Sequence, residues 1–153
     1  MDTQITQRYS KVDLFSVKGR MGSKYYLFYS IAIPLVFFWF TFQFTGVLST
    51  GMNNLSLGSA LLLGVAISIV LFILVYLTIQ RCHDFDKSGW YAMFALIPFA
   101  NLFYASVPQV NGLNRYGEMP EPAPVIISVA NYFLVLLVLG LSLFLLFHFL
   151  GVW

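Results

Sequence analysis

Polar positions are distributed unevenly along this chain. Every Asp, Glu, Lys, Arg and His except His148 falls within residues 2–24, 81–87 or 115–121, and the 56 residues from Tyr25 to Gln80 carry no such group. Between the clusters lie four apolar stretches, at about 25–48, 55–80, 90–110 and 125–153. A helix needs about 20 apolar residues to cross a hydrocarbon core of about 30 Å. The pattern therefore predicts an all-α integral membrane protein, a small bundle of four transmembrane helices behind a basic interfacial N-terminal segment. It divides the chain into a basic amphipathic segment (1–24), a membrane domain (25–122) and an additional C-terminal transmembrane helix (123–153).

Each stretch has its own signature. In the first, Phe38, Phe40, Phe42 and Phe44 alternate like a strand. An unpaired strand in lipid leaves its backbone groups unsatisfied, and too few residues exist to close a barrel, so helix prevails. Pro34 removes one hydrogen bond from that helix and is a potential kink. At 24 residues, the stretch is too long for the 7–15-residue apolar core of a cleavable leader, and no A-x-A-like site follows it. The second stretch places Ser56, Ala60, Gly64 and Ser68 four residues apart, a small-residue stripe that lets helix backbones approach closely in lipid. The third carries Pro98, Asn101 and Pro108; it either crosses or dips in and returns, and its uncharged length favours a full crossing. The fourth opens after the proline-rich linker Met119–Pro124.

Composition agrees with this pattern. The 153 residues are 59% hydrophobic and 9% charged, against about 25% charged in soluble domains. That excludes a soluble globule and a disordered chain. A net charge of +2 gives no reason to expect nucleic acid, but its placement orients the chain. Five Lys/Arg precede the first stretch (Arg8, Lys11, Lys18, Arg20, Lys24), two lie in 81–89, one is Arg115, and the loop at 49–54 has none. Four crossings would put seven cations on one side and one on the other; a re-entrant third segment would put all eight on one side. Either count predicts a cytoplasmic N-terminus, and Ser49–Asn54 outside.

Candidate chemistry concentrates in Arg81-Cys82-His83-Asp84-Phe85-Asp86-Lys87. Cys82, His83, Asp84 and Asp86 are all metal-ligand types, but their crowding within five residues does not match zinc-site spacing, so neither a metal nor a cofactor is expected. His83 and Asp84 could serve as an acid–base pair, although no spaced nucleophile or phosphate-binding glycine loop accompanies them. The simpler reading is a charged turn in which Arg81 pairs with Asp84 or Asp86 and Trp90 anchors at the interface. Residues 8–24 interleave basic groups with Val12, Leu14, Phe15, Val17 and Met21, which fits an interfacial helix or a plain basic tail. His148, near the end of the fourth stretch, reads as interfacial.

Three motifs in order resemble the bacterial inner-membrane family known as domain of unknown function 805. They are Gly19-Arg20 followed by Tyr25-Tyr26, then Gln80-Arg81-Cys82-His83-Asp84-Phe85-Asp86-Lys87-Ser88-Gly89-Trp90, then Gly112-Leu113-Asn114-Arg115-Tyr116-Gly117-Glu118-Met119-Pro120. The family's R-R-L-H-D run has Gln80 for its first arginine and Cys82 for its leucine, and its second basic position after G-R falls on Ser23, with Lys24 beside it. The resemblance covers roughly 12–120 and implies a fold and a membrane location rather than an activity. It singles out Gly19, Arg20, Lys24, Arg81, His83, Asp84, Ser88, Gly89, Trp90, Asn114, Tyr116 and Gly117 as motif or interaction residues. The fourth helix lies beyond it.

Three functions compete. The first is a non-enzymatic accessory or interaction subunit that binds partner helices, a second copy of itself or anionic phospholipid headgroups. The second is a small oligomeric transporter or channel component, for which the stretches offer only Gln43, Asn101, Asn131, His148 and hydroxyls. The third is an enzyme or sensor acting on lipid headgroups, with Arg20, Lys24, Arg81 and Lys87 on phosphate and His83/Asp84 as acid and base. The first suits the small size and aromatic richness best.

Overall fold

A computed structural model describes residues 16–45, 56–97 and 100–150. The basic residues Arg8 and Lys11, the loop Ser49–Asn54, Pro98 and the terminal Trp153 lie outside them. Among the described residues there are four α-helices and one 3₁₀ helix: α1 (Ser23–Thr45), α2 (Leu57–Asp84), the 3₁₀ helix η1 (Gly89–Leu96), α3 (Ala100–Ser106) and α4 (Val125–Phe149). Three of these, α1, α2 and α4, are long and apolar enough to cross a membrane. At 1.5 Å per residue they measure roughly 35, 42 and 38 Å, each more than a hydrocarbon core. The protein is an all-α membrane protein.

The third apolar stretch does not make a fourth crossing. An eight-residue 3₁₀ helix rises about 16 Å and the seven-residue α3 about 10 Å, so neither reaches across. The chain nevertheless comes back to where it left. The Val110 amide donates to Asp84 O at 3.1 Å, so the segment begins and ends at the C-terminus of α2. The expected full crossing is thus corrected to a re-entrant hairpin. Its physical basis is the treatment of carbonyls at the end of α3. Arg81 donates to Tyr104 O and Val107 O, which lets non-helical backbone persist there without orphaned acceptors.

Helix boundaries otherwise follow local chemistry. Ser56 caps α2 by accepting from the Ser59 amide at 3.2 Å. The helix does not stop at Gln80 but continues through Arg81–Asp84, with Arg81 and His83 in a last turn where positive charge suits the helix dipole. Helix α1 runs through Pro34 to Thr45.

Packing centres on the end shared by the charged residues. Met21, Tyr26, Leu77, Cys82, Ala95 and Tyr104 form the buried core, with the Tyr26 and Tyr104 rings edge to face at 6.3 Å. The Tyr26 hydroxyl bridges Thr78 Oγ1 (3.1 Å) and Asn101 Oδ1 (2.9 Å), tying α1, α2 and α3 together. Helix α4 packs only on α1 among the described elements. The start of α1, the end of α2, both ends of the hairpin and the start of α4 therefore lie at one end of the molecule. Lys18, Arg20, Lys24, Arg81, Lys87 and Arg115, all the Lys and Arg among the described residues, sit there.

Candidate functional site: a buried arginine–aspartate–arginine clamp

Asp84 is the last residue of α2, and antiparallel α1 begins beside it. That places Arg20, three residues before α1, against the final turn of α2. The Met21 amide donates to Gln80 O (3.2 Å), and the Gln80 side chain donates to Ser16 O, fixing the approach. Arg20 reaches Asp84 Oδ1 through Nε (3.2 Å) and Nη2 (3.0 Å). Arg81, one helical turn before Asp84, donates from Nη1 to Asp84 Oδ2. One carboxylate thus holds two guanidiniums, and all three side chains are 0% exposed.

Two cations on one anion leave a surplus positive charge, which buried backbone dipoles offset. Arg20 also donates to Gly112 O (2.6 Å), Gly117 O (3.3 Å), Asp84 O (3.3 Å) and Val110 O. Arg81 also donates to Tyr104 O (2.9 Å), Met21 O (3.4 Å) and Val107 O, and lies 5.7 Å from the Phe85 ring centroid. The planar five-donor fork of arginine suits this task; a lysine ammonium would serve fewer acceptors. The two guanidiniums consequently hold the N-terminal segment, the end of α2, the hairpin and the 107–117 loop in one node.

The third motif closes over this node. Asn114 and Gly117 exchange backbone hydrogen bonds at 3.1 Å in a tight turn, and Asn114 Oδ1 accepts from the Tyr116 amide at 2.9 Å. Asn114 Nδ2 donates to His83 O at 2.8 Å. Gly117 has φ +122°, a backbone conformation that side-chain-bearing residues avoid, and it aims its carbonyl at Arg20. Tyr116 stacks on His83 with centroids 3.8 Å apart and planes 7° from parallel. On its other side His83 Nδ1 faces Gly19 O at 3.2 Å. A carbonyl only accepts, so that nitrogen carries the proton.

The remaining motif residues have separate places. Ser88 and Gly89 start η1, and a Cβ on Gly89 would lie 3.0 Å from Ile79 Cγ2 and 3.5 Å from His83 Nε2, so a side chain there would require Ile79 to shift by a few tenths of an ångström. Trp90 is 78% exposed on the hairpin, as a membrane anchor would be. Lys24 is exposed in the first turn of α1. The four metal-ligand types diverge: Cys82 enters the core, His83 stacks on Tyr116, Asp84 joins the clamp and Asp86 pairs with Arg115 (3.1 Å). Ser56, Ala60, Gly64 and Ser68 are exposed or face open space, while α2 buries Ala66, Val70 and Leu77 instead. His148 lies at the opposite end of α4 from the clamp, parallel to Phe144.

A family model described as a protein of unknown function, DUF805, matches residues 14–118, which include the first two motifs and the third as far as Glu118. The chain belongs to that family. Comparison with curated proteins and with solved structures finds no match to either. In this DUF805 chain the matched residues contain every side chain of the clamp, whereas α4 lies beyond the match.

Sequence reasoning missed the acceptors. Gly112 O, Gly117 O, Tyr104 O and Val107 O are backbone groups, and every residue carries one. The usable signal was the pair of glycines framing Gly112-Leu113-Asn114-Arg115-Tyr116-Gly117, both at positive φ.

Proposed function

We propose that this protein is a non-enzymatic accessory or interaction subunit of the bacterial inner membrane, oriented with its N-terminus in the cytoplasm, that engages partner helices and anionic lipid. The observation that carries this reading is the saturation of the clamp. Arg20, Arg81 and Asp84 are fully buried and spend their hydrogen bonds on one another and on backbone, so none faces a substrate or a headgroup. Two of the polar groups that a pore could use are likewise engaged, Asn101 with Tyr26 and the Asn131 amide nitrogen with Lys24 O. Meanwhile α2 turns Ser56, Ala60, Gly64 and Ser68 outward, a face on which another helix can approach closely.

Orientation follows from the common location of the cationic residues, since Lys and Arg are retained on the cytoplasmic side. Three crossings then carry the end of α4 outside. Tagged full-length protein extracted in mild detergent from native membranes should retain a stoichiometric membrane-protein partner or second copy, and Gly64→Leu should release it. Recovery of a lone chain, with Gly64→Leu indistinguishable from the parent, would contradict the interaction reading. A reporter fused after Trp153 should be active outside the cell; activity inside would contradict the orientation.

A further inference from the structure

We infer that the crevice between α1 and α4 binds one phospholipid whose headgroup is anionic and carries a free hydroxyl. This deepens the lipid half of the proposed function and rests on it. The key group is Asn131 on α4, 6% exposed. Its Nδ2 donates to Lys24 O at 2.9 Å, while its Oδ1 is buried and accepts from no group among the described residues. The amide cannot be turned around, because Lys24 O is itself an acceptor and needs the NH₂. The unmatched acceptor therefore calls for a donor that the described residues do not supply.

Its depth suggests where that donor comes from. Asn131 is six residues along α4, about 9 Å from the start of the helix. The start lies at the cation-rich end, so Asn131 sits near the boundary between headgroups and hydrocarbon, where bulk water thins and an unpaired acceptor is costly. The crevice holds about 290 Å³ and is lined by Lys24, Leu27, Ser128, Asn131, Tyr132 and Val135. That is roughly the volume of ten liquid waters at ~30 Å³ each, enough for a headgroup. The lining sorts by chemistry: exposed Lys24 offers charge to a phosphate, Asn131 Oδ1 accepts from a hydroxyl, and Leu27 and Val135 flank the acyl chains. Choline has no donor to give. Ethanolamine has ammonium N–H donors but brings a second cation beside Lys24.

Lipid titration of the purified full-length protein, read by native mass spectrometry, tests this with three lipids of identical chains: phosphatidylglycerol, phosphatidylmethanol (anionic, no free hydroxyl) and phosphatidylcholine. Phosphatidylglycerol should bind about tenfold more tightly than phosphatidylmethanol, the difference made by one buried acceptor gaining its donor. Asn131→Leu should reduce phosphatidylglycerol to the phosphatidylmethanol level, and Lys24→Gln should weaken both anionic lipids. Equal binding of phosphatidylglycerol and phosphatidylmethanol by the unaltered chain would overturn the inference without recourse to any variant. So would a hydroxyl preference that survives Asn131→Leu. Partner recovery in the same preparations separates the two proposals: a lost partner with intact lipid discrimination fails the subunit reading alone.

Discussion

Asp84 and Asp86 are two residues apart, each paired with arginine, and their surroundings are opposite. Asp84 and its two partners, Arg20 and Arg81, are sealed from solvent, whereas Asp86 is 43% exposed and Arg115 61% exposed. Water and salt screen the outer pair, which also gives up side-chain freedom to form. The inner cluster is screened far less, and removing one member strands the charge of another. Identical chemistry thus does different things at the two positions. Asp84 anchors the two arginines that join four stretches of chain, while Asp86 trims a surface turn.

The largest effect should come from Asp84→Ala, which leaves two buried guanidiniums without their anion. We expect a loss of about 3–5 kcal/mol, read as unfolding in detergent. A loss below about 1 kcal/mol would mean that the carbonyls alone suffice. Arg81→Lys comes next. It keeps the charge but cannot reach Asp84, Tyr104 O and Val107 O together, and we expect a loss of about 1.5–3 kcal/mol. The damage should fall on the hairpin first, so a cysteine replacing Ala95 in this variant should label faster with a thiol reagent. Gly117→Ala should cost about 1–2 kcal/mol, entirely through backbone strain, because no atom lies within 4 Å of the added methyl. Asp86→Asn, which keeps a side chain suited to the left-handed backbone there (φ 57°), should cost about 0.2–1 kcal/mol and less at high salt, as a screened surface pair requires.

The contrast between these aspartates also marks what a sequence carries. The long uncharged runs specify α1, α2 and α4, because lipid enforces helix on any chain that crosses it. Asp84 could be brought to Arg20 on paper, since α1 and α2 are antiparallel neighbours. The hairpin was harder. Residues 90–110 satisfy a hydropathy criterion for crossing, and what turns them back is Arg81 taking up carbonyls at the end of α3, an interaction between side chain and backbone that leaves no periodic trace. The same holds for α2 running past Gln80. Charged residues read as a helix end when solvated, yet here Arg81 and Asp84 are stabilised inside the protein and the helix continues. Asn131 was visible as a polar residue within a span, but its half-satisfied amide was not.

Two double-mutant cycles, measured side by side by unfolding in detergent, test the clamp most directly. For Arg20→Ala with Asp84→Ala we predict strong non-additivity, the double variant losing at least about 2 kcal/mol less than the two single losses combined, because the second change removes a charge the first had stranded. For Arg115→Ala with Asp86→Asn we predict a coupling under about 1 kcal/mol. Full additivity at Arg20 and Asp84, with Asp86 the more sensitive aspartate, would show that the motif is a solvated turn and that the fold is held elsewhere.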